Sequence, residues 1–254
     1  MNFCSLLFKE IKYFTNLQNK MYQFLLIFQP LLFLTIIYFM RQLRGDARTD
    51  QFVVASALIS MWSYVLYSSG SALISQKWND TLKLLISAPI SLFQIILSKT
   101  ISNSFIALLS MILNFLYARF IFQFKIGIDN YFIFFLAVIV LLFSLSVVGL
   151  ILAIVFVAFQ NVFDYQNLIL TPIILICGVF IPVEQMPFIL RIISYLIPMT
   201  WGIKSIYDAI SVSSQFMTTI MISIAISIIY FLVAIYIIKK IEIVLRKKGQ
   251  MGAI

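Results

Sequence analysis

Gln76–Ser91, QKWNDTLKLLISAPIS, is a short polar interruption between two long apolar segments. Asn79 or Asp80 is suited to cap a helix whose apolar face is Leu82, Leu85 and Ile86 and whose polar face carries Lys83 and Ser87. Pro89 disfavours helical backbone at Ala88 and ends that helix. Ser91 then caps the next helix, with Gln94 three residues on to complete a capping box. A helix of about seven residues is roughly 10 Å long and is not stable alone. Something must hold it. On these residues two holders stand level: the protein's own helix ends, or a second protein.

Working outward, the flanking composition decides the solvent. Hydrophobic residues make up 63% of the 254 positions and charged residues only 11%, with a mean hydropathy of +1.07. A water-facing surface needs about 25% charged residues, so the chain is an integral membrane protein. The net charge of +9 follows from basic residues at the ends of apolar segments, where they meet lipid headgroups. No aromatic-basic cluster of the kind that stacks bases occurs, so nucleic acid is not an expected partner. Cys4 and Cys177 make no disulfide framework and read as apolar fillers. Histidine is absent, which removes the commonest general base and metal ligand. No catalytic, cofactor-binding or metal-binding residue is expected in this chain.

A bilayer core takes about 20 apolar residues per helix. Met21–Met40 is the first expected span, with Pro30 as a kink, and Arg41–Asp50 is a charged loop. The charge-free stretch between Asp50 and Lys77 is the second span, and that between Lys99 and Arg119 the third. One long helix from about Tyr131 to Phe159 is the fourth. A loop over Asn161–Asn167 leads to the fifth, beginning at Leu168–Ile181, and Phe216–Ile238 is the last. The expected fold class is an all-α integral membrane protein with six transmembrane helices, a single domain over 1–254.

Two segments lie outside that count. Residues 1–20 place Phe3, Leu7, Ile11, Phe14 and Leu17 opposite Lys9, Lys12 and Asn16, the pattern of an amphipathic helix in the membrane interface rather than a cleavable leader. Within 183–213, Pro187 and Pro198 bracket FILRIISYLI, too short to span, and a second short helix is expected over about Ile203–Ile210. Short re-entrant helices before the last span fit this, because irregular backbone at membrane depth must be shielded or line water. Lys204 and Asp208, four apart, are spaced to pair. Trp78 and Trp201 read as interface anchors.

Orientation is a tie at the front, with Lys9, Lys12 and Lys20 before the first span and Arg41, Arg44 and Arg48 after it. Lys239, Lys240, Arg246, Lys247 and Lys248 after the last span break it. Six spans put both termini on one side, so both are expected in the cytoplasm of a multi-pass plasma-membrane protein, with Gln76–Ser91 on the same side. The second span also carries Ser56, Ser60, Ser63, Tyr67 and Gly70 on one helical face. That face suits close helix packing; its other reading is a pathway or dimer seam between two copies.

With these residues in place, the chain resembles the permease subunits of type-2 ATP-binding-cassette exporters. Between their second and third spans those permeases carry a pattern like Glu-(Lys/Arg)-x-x-Gly-Thr-Leu-Glu-x-Leu-x-x-x-Pro-(Val/Ile)-Ser. The chain matches it at Lys77, Thr81, Leu82, Leu85, Pro89, Ile90 and Ser91, and departs at Gln76, Asp80 and Lys83. A second resemblance runs through Gly178-Val-Phe-Ile-Pro182, Met186-Pro187-Phe188, and Leu196-Ile-Pro198-Met-Thr-Trp201, similar to the family's fifth span and outer re-entrant helices.

The resemblance implies that residues 76–91 form a cytoplasmic coupling helix docking on a separate ATPase. The ATPase-coupling residues would be Trp78, Asp80, Thr81, Leu82, Leu85, Ile86 and Pro89, with Gly178, Pro182, Pro187 and Pro198 marking the outer motif. It implies two permease copies, as a homodimer or heterodimer, with two ATPase subunits that hold ATP and Mg. An energy argument agrees with it: the chain has no phosphate-binding loop, and its expected spans contain no acid of the kind ion-driven carriers use. Hence it is not expected to be an enzyme. The basic-aromatic Phe-Pro-Arg pattern of polysaccharide permeases is missing, which points to drugs, antimicrobial peptides or lipids as cargo. The alternatives are a stand-alone ion-coupled carrier, an intramembrane enzyme, or a permease for lipid-linked polysaccharide.

Overall fold

A computed structural model describes residues 3–14, 20–44, 49–78, 91–124, 127–128, 130–158 and 171–251. Among these the backbone is helical throughout, apart from connecting turns. The chain begins with α1 (Phe3–Phe14), and one helical turn, α2 (Lys20–Gln23), then runs into a π-turn over Phe24–Phe28 and on into α3 (Gln29–Arg44). The π geometry sits just ahead of Pro30. Gln29 N–H bonds back to the Phe24 carbonyl, a wider step that accommodates a residue with no N–H and a ring crowding the turn before it. The irregularity expected at Pro30 therefore takes the form of this π-turn.

Next come α4 (Thr49–Trp78), α5 (Leu92–Phe120) and α6 (Tyr131–Ala158), the last close to the single helix expected over that charge-free stretch. Residues 171–176 are helical and end at Gly178. A 3-10 turn (Val183–Gln185) leads to α7 (Phe188–Leu196) and α8 (Pro198–Ile210), bent against each other by 95°. The second short helix thus starts at Pro198, five residues before the expected Ile203. Proline at a first helical position costs nothing, because that N–H has no partner in the helix anyway. Finally α9 (Phe216–Met251) runs for 36 residues.

Four of these helical stretches are long and apolar enough to cross a membrane: Phe24–Leu43, Leu92–Phe120, Tyr131–Val155 and Phe216–Val244. The bent pair α7–α8, counted as one span, makes five. In α4 the apolar stretch Gln51–Val65 is described in full. The expected fifth span is described only over part of its length, and the loop over Asn161–Asn167 lies outside the described residues.

The core lies between α4, α5, α6 and α8, where Met61, Trp62, Tyr64, Leu141, Leu145 and Ile203 are fully buried. On α9 the buried side is Thr219, Ser223, Ser227, Ala234 and Ile238, at spacings that follow one helical face. Its opposite side exposes Met217, Met221, Leu232 and Tyr236, and the π-turn with α3 exposes Phe28, Leu32, Ile36, Phe39 and Leu43. Apolar faces of this length are solvated by lipid rather than water.

Candidate functional site

The structure has polar groups at both ends of the bundle and along its middle. At one end, α4 runs to Trp78 and α5 begins after Ser91, so the polar stretch quoted above joins two helices packed on each other. Ser91 is extended (φ −69°, ψ 140°) and its hydroxyl accepts the Gln94 N–H at 3.3 Å, the expected N-cap. Asp80, Thr81, Leu82, Leu85, Ile86 and Pro89 lie outside the described residues, as does the Trp78 side chain.

Close to that end α1 packs along α5. Lys99 Nζ lies 3.4 Å from Glu10 Oε1, and Ser102 Oγ donates to the Leu7 carbonyl at 3.4 Å. Lys99 is 5% exposed, two turns inside an apolar helix, and a charge there is tolerated only with a partner. From the sequence Lys99 read as the edge of a span. The signal for its role was its distance from the helix start at Ser91, which left it inside the helix rather than at its end.

Along the middle, the face bearing Ser56, Ser60 and Ser63 meets the chain's own helices. Ser56 Oγ lies 3.0 Å from Asn114 Oδ1 on α5 and donates to it, while Asn114 Nδ2 donates to Ser60 Oγ at 3.5 Å. Ser63 Oγ accepts from Gln29 Nε2 of α3 at 2.9 Å. The surroundings of Tyr67 and Gly70 lie outside what the structure describes. A second polar contact, not anticipated from the sequence, joins α6 to α9: Ser144 Oγ is 3.0 Å from both Ser223 Oγ and Ser227 Oγ. Gly202 of α8 packs against the same turn of α6, beside Leu141 and Ser144. Small and hydroxyl-bearing residues let helices approach closely where no hydrophobic effect drives them together.

At the other end, the four residues of the outer motif each fix a turn. Gly178 has φ +86°, and a Cβ there would sit 2.8 Å from Val183 Cγ2, so only glycine suits it. The Val179 carbonyl that follows accepts the Tyr207 hydroxyl at 2.6 Å. Pro182 and Pro187, both at φ −52°, precede the 3-10 turn and α7, and Pro198 opens α8.

Lys204 does not pair with Asp208 as the four-residue spacing suggested. Its ammonium bonds Glu184 in the 3-10 turn and lies 5.8 Å from the Trp201 ring, which stacks on Tyr195 at 5.1 Å. The fold offers Lys204 a carboxylate from a different segment, while Asp208 Oδ2 accepts from Thr219 Oγ1 at 2.7 Å. Burial pushes the Glu184 carboxyl up. The hydrogen bond from Lys204, a hydrogen bond from its own backbone, and the charges of Lys204 and Arg191 outweigh that and hold it below its ordinary value. Arg191 itself donates to the carbonyls of Glu184 and Met186. Beside this cluster α4, the turn at Gly178 and α8 line a half-open cavity of about 520 Å³.

Long apolar helices, polar contacts between them and a bent helix pair define a multi-pass membrane protein. The sequence pattern of the ABC-2 type transporter family matches residues 1–211, and the chain belongs to that family. It is the transmembrane subunit of an ABC-2 type transporter, a membrane permease domain that has no ATPase activity itself. Such permeases generally pair with ABC ATPase subunits. No curated protein matches the chain at a significant level.

Proposed function

We propose that this permease is the membrane half of an ATP-driven exporter, with six spans in a single domain over 1–254 and both termini in the cytoplasm of the plasma-membrane protein. Two copies, identical or paired with a related chain, form the pathway, and an ATPase holding ATP and Mg sits beneath each. Residues 76–91 are the coupling helix, with Thr81–Ser91 docking on the ATPase. Residues 1–20 lie in the interface, and 183–213 form re-entrant helices on the outer side. The cargo is hydrophobic or amphipathic: a drug, an antimicrobial peptide or a lipid.

The observation that carries this reading is the family match, which spans both the 76–91 stretch and the outer motif. The position of the stretch supports it, because it joins α4 to α5 beside the ionic contact between α1 and α5. A push on residues 76–91 would reach both helices at once. Closure of two ATP-loaded ATPases supplies that push, so ATP hydrolysis need leave no chemistry in this chain.

Affinity purification in mild detergent tests the assembly. An ATPase subunit should co-purify, and vesicles carrying both should accumulate cargo only with ATP. Purification without an ATPase, together with ATP-independent transport, would return the stand-alone carrier.

A further inference from the structure

The cavity beside α8 lies at the Gln51 end of α4, away from Trp78. At about 520 Å³ it is within the size range of pockets that hold drug-sized molecules. Val54, Ile203 and Ile210 supply an apolar wall, and Glu184, Lys204 and Asp208 supply the charge. Glu184 and Lys204 neutralise each other as an ion pair. The nearby cation Arg191 is held by the backbone carbonyls of Glu184 and Met186 and does not line the cavity. That leaves Asp208. Its hydrogen bond comes from Thr219, a neutral hydroxyl that orients the carboxylate without cancelling its charge. The described residues lining the cavity thus carry one negative charge in excess, set in a largely apolar surface. A neutral ligand would leave that charge without a counterion, and an anion would oppose it.

We propose that this cavity binds a monovalent amphipathic organic cation, with its positive group at Asp208 and its apolar body against Val54, Ile203 and Ile210. That such a cation is cargo rests on the exporter reading; that it binds does not.

Equilibrium dialysis of the full chain in zwitterionic lipid nanodiscs, without ATP, tests the site. The probes are tetraphenylphosphonium and tetraphenylborate, matched in shape and opposite in charge. The phosphonium should bind saturably and the borate should show only lipid partitioning. Asp208→Asn, which keeps an oxygen for Thr219, should weaken phosphonium binding at least tenfold, and Asp208→Glu should retain it. Ile210→Trp, which fills the cavity and leaves the carboxylate, should also remove saturable binding. Native-like affinity in Asp208→Asn or in Ile210→Trp, or equal binding of the borate, would overturn the proposal. Vesicle transport with the ATPase is scored separately. Saturable binding without ATP-dependent transport sinks the exporter reading alone, and ATP-dependent transport without saturable phosphonium binding sinks the cavity alone.

Discussion

Glu10 on α1 and Lys99 on α5 meet at 3.4 Å with only 17% and 6% of their side chains exposed. A buried pair of this kind is most costly when one partner is removed, because the remaining charge stays desolvated. Glu10→Ala should therefore destabilise the protein by about 3–5 kcal/mol. The double variant Glu10→Leu with Lys99→Met should lie much nearer the native protein. Thermal unfolding in detergent, followed for the two variants side by side, checks the order. Native-like stability in both would mean that α1 is held by its apolar face alone.

The Glu184–Lys204 pair ties the 3-10 turn to α8, twenty residues on, and it sets a pH dependence whose sign is fixed. The Glu184 carboxyl is held below its ordinary value, so the contribution of the pair is full above the unfolded carboxyl pKa. It is lost as pH falls through the lower folded value. Glu184 is half exposed, and the effect is correspondingly modest. Trp201, stacked on Tyr195 and close to the Lys204 ammonium, reports on it. Its fluorescence should change below the ordinary carboxylate range and stay flat there in Glu184→Gln. A transition that persists in Glu184→Gln would assign it to another group.

Helix contact at Gly202 leaves little room for a side chain. A Cβ would lie 3.1 Å from Leu141 Cδ1 and 3.2 Å from Leu141 Cα, the latter backbone that cannot turn aside. Gly202→Val should cost about 1–3 kcal/mol through overpacking of α8 on α6. Gly127, with nothing within 4 Å of an added Cβ, should accept alanine with unchanged stability. Melting temperatures of the two variants decide the matter, and a native-like Gly202→Val would show that α8 shifts freely on α6.

How much of this was legible depends on the range of the interaction. Charge-free runs read correctly as helices from Tyr131, from Phe216 and through α4, because hydropathy and length act within one segment. Pro187 and Pro198 were readable for the same reason, since each restricts its own backbone, whereas Gly178 was marked only by the family resemblance. The polar pairings were not readable. Lys204 was four residues from one carboxylate and twenty from the one it uses, and helical spacing carries no information about a 3-10 turn that folds back. The face of Ser56 and Ser60 was found by periodicity, but its partner Asn114 is 58 residues from Ser56. Ser144, Ser223 and Ser227 sat in runs so apolar that nothing local marked them as partners. For the coupling residues the sequence motif remains the guide, since residues 79–90 lie outside those the structure describes.

The coupling proposal makes the sharpest prediction about transport. Leu82 and Leu85 are three apart, on the face expected to dock against the ATPase. A carboxylate placed on either would be desolvated and unpaired in the contact, a loss large enough to separate the subunits. Leu82→Asp or Leu85→Asp should therefore abolish ATP-dependent transport and co-purification of the ATPase. Membrane insertion should stay normal, because the altered residue lies outside the spans. Lys83→Glu, on the polar face, should leave assembly intact. That control separates a docking face from a stretch sensitive to any change of charge. Wild-type transport in both leucine variants would refute the coupling role, and equal loss in Lys83→Glu would move the contact to the opposite face.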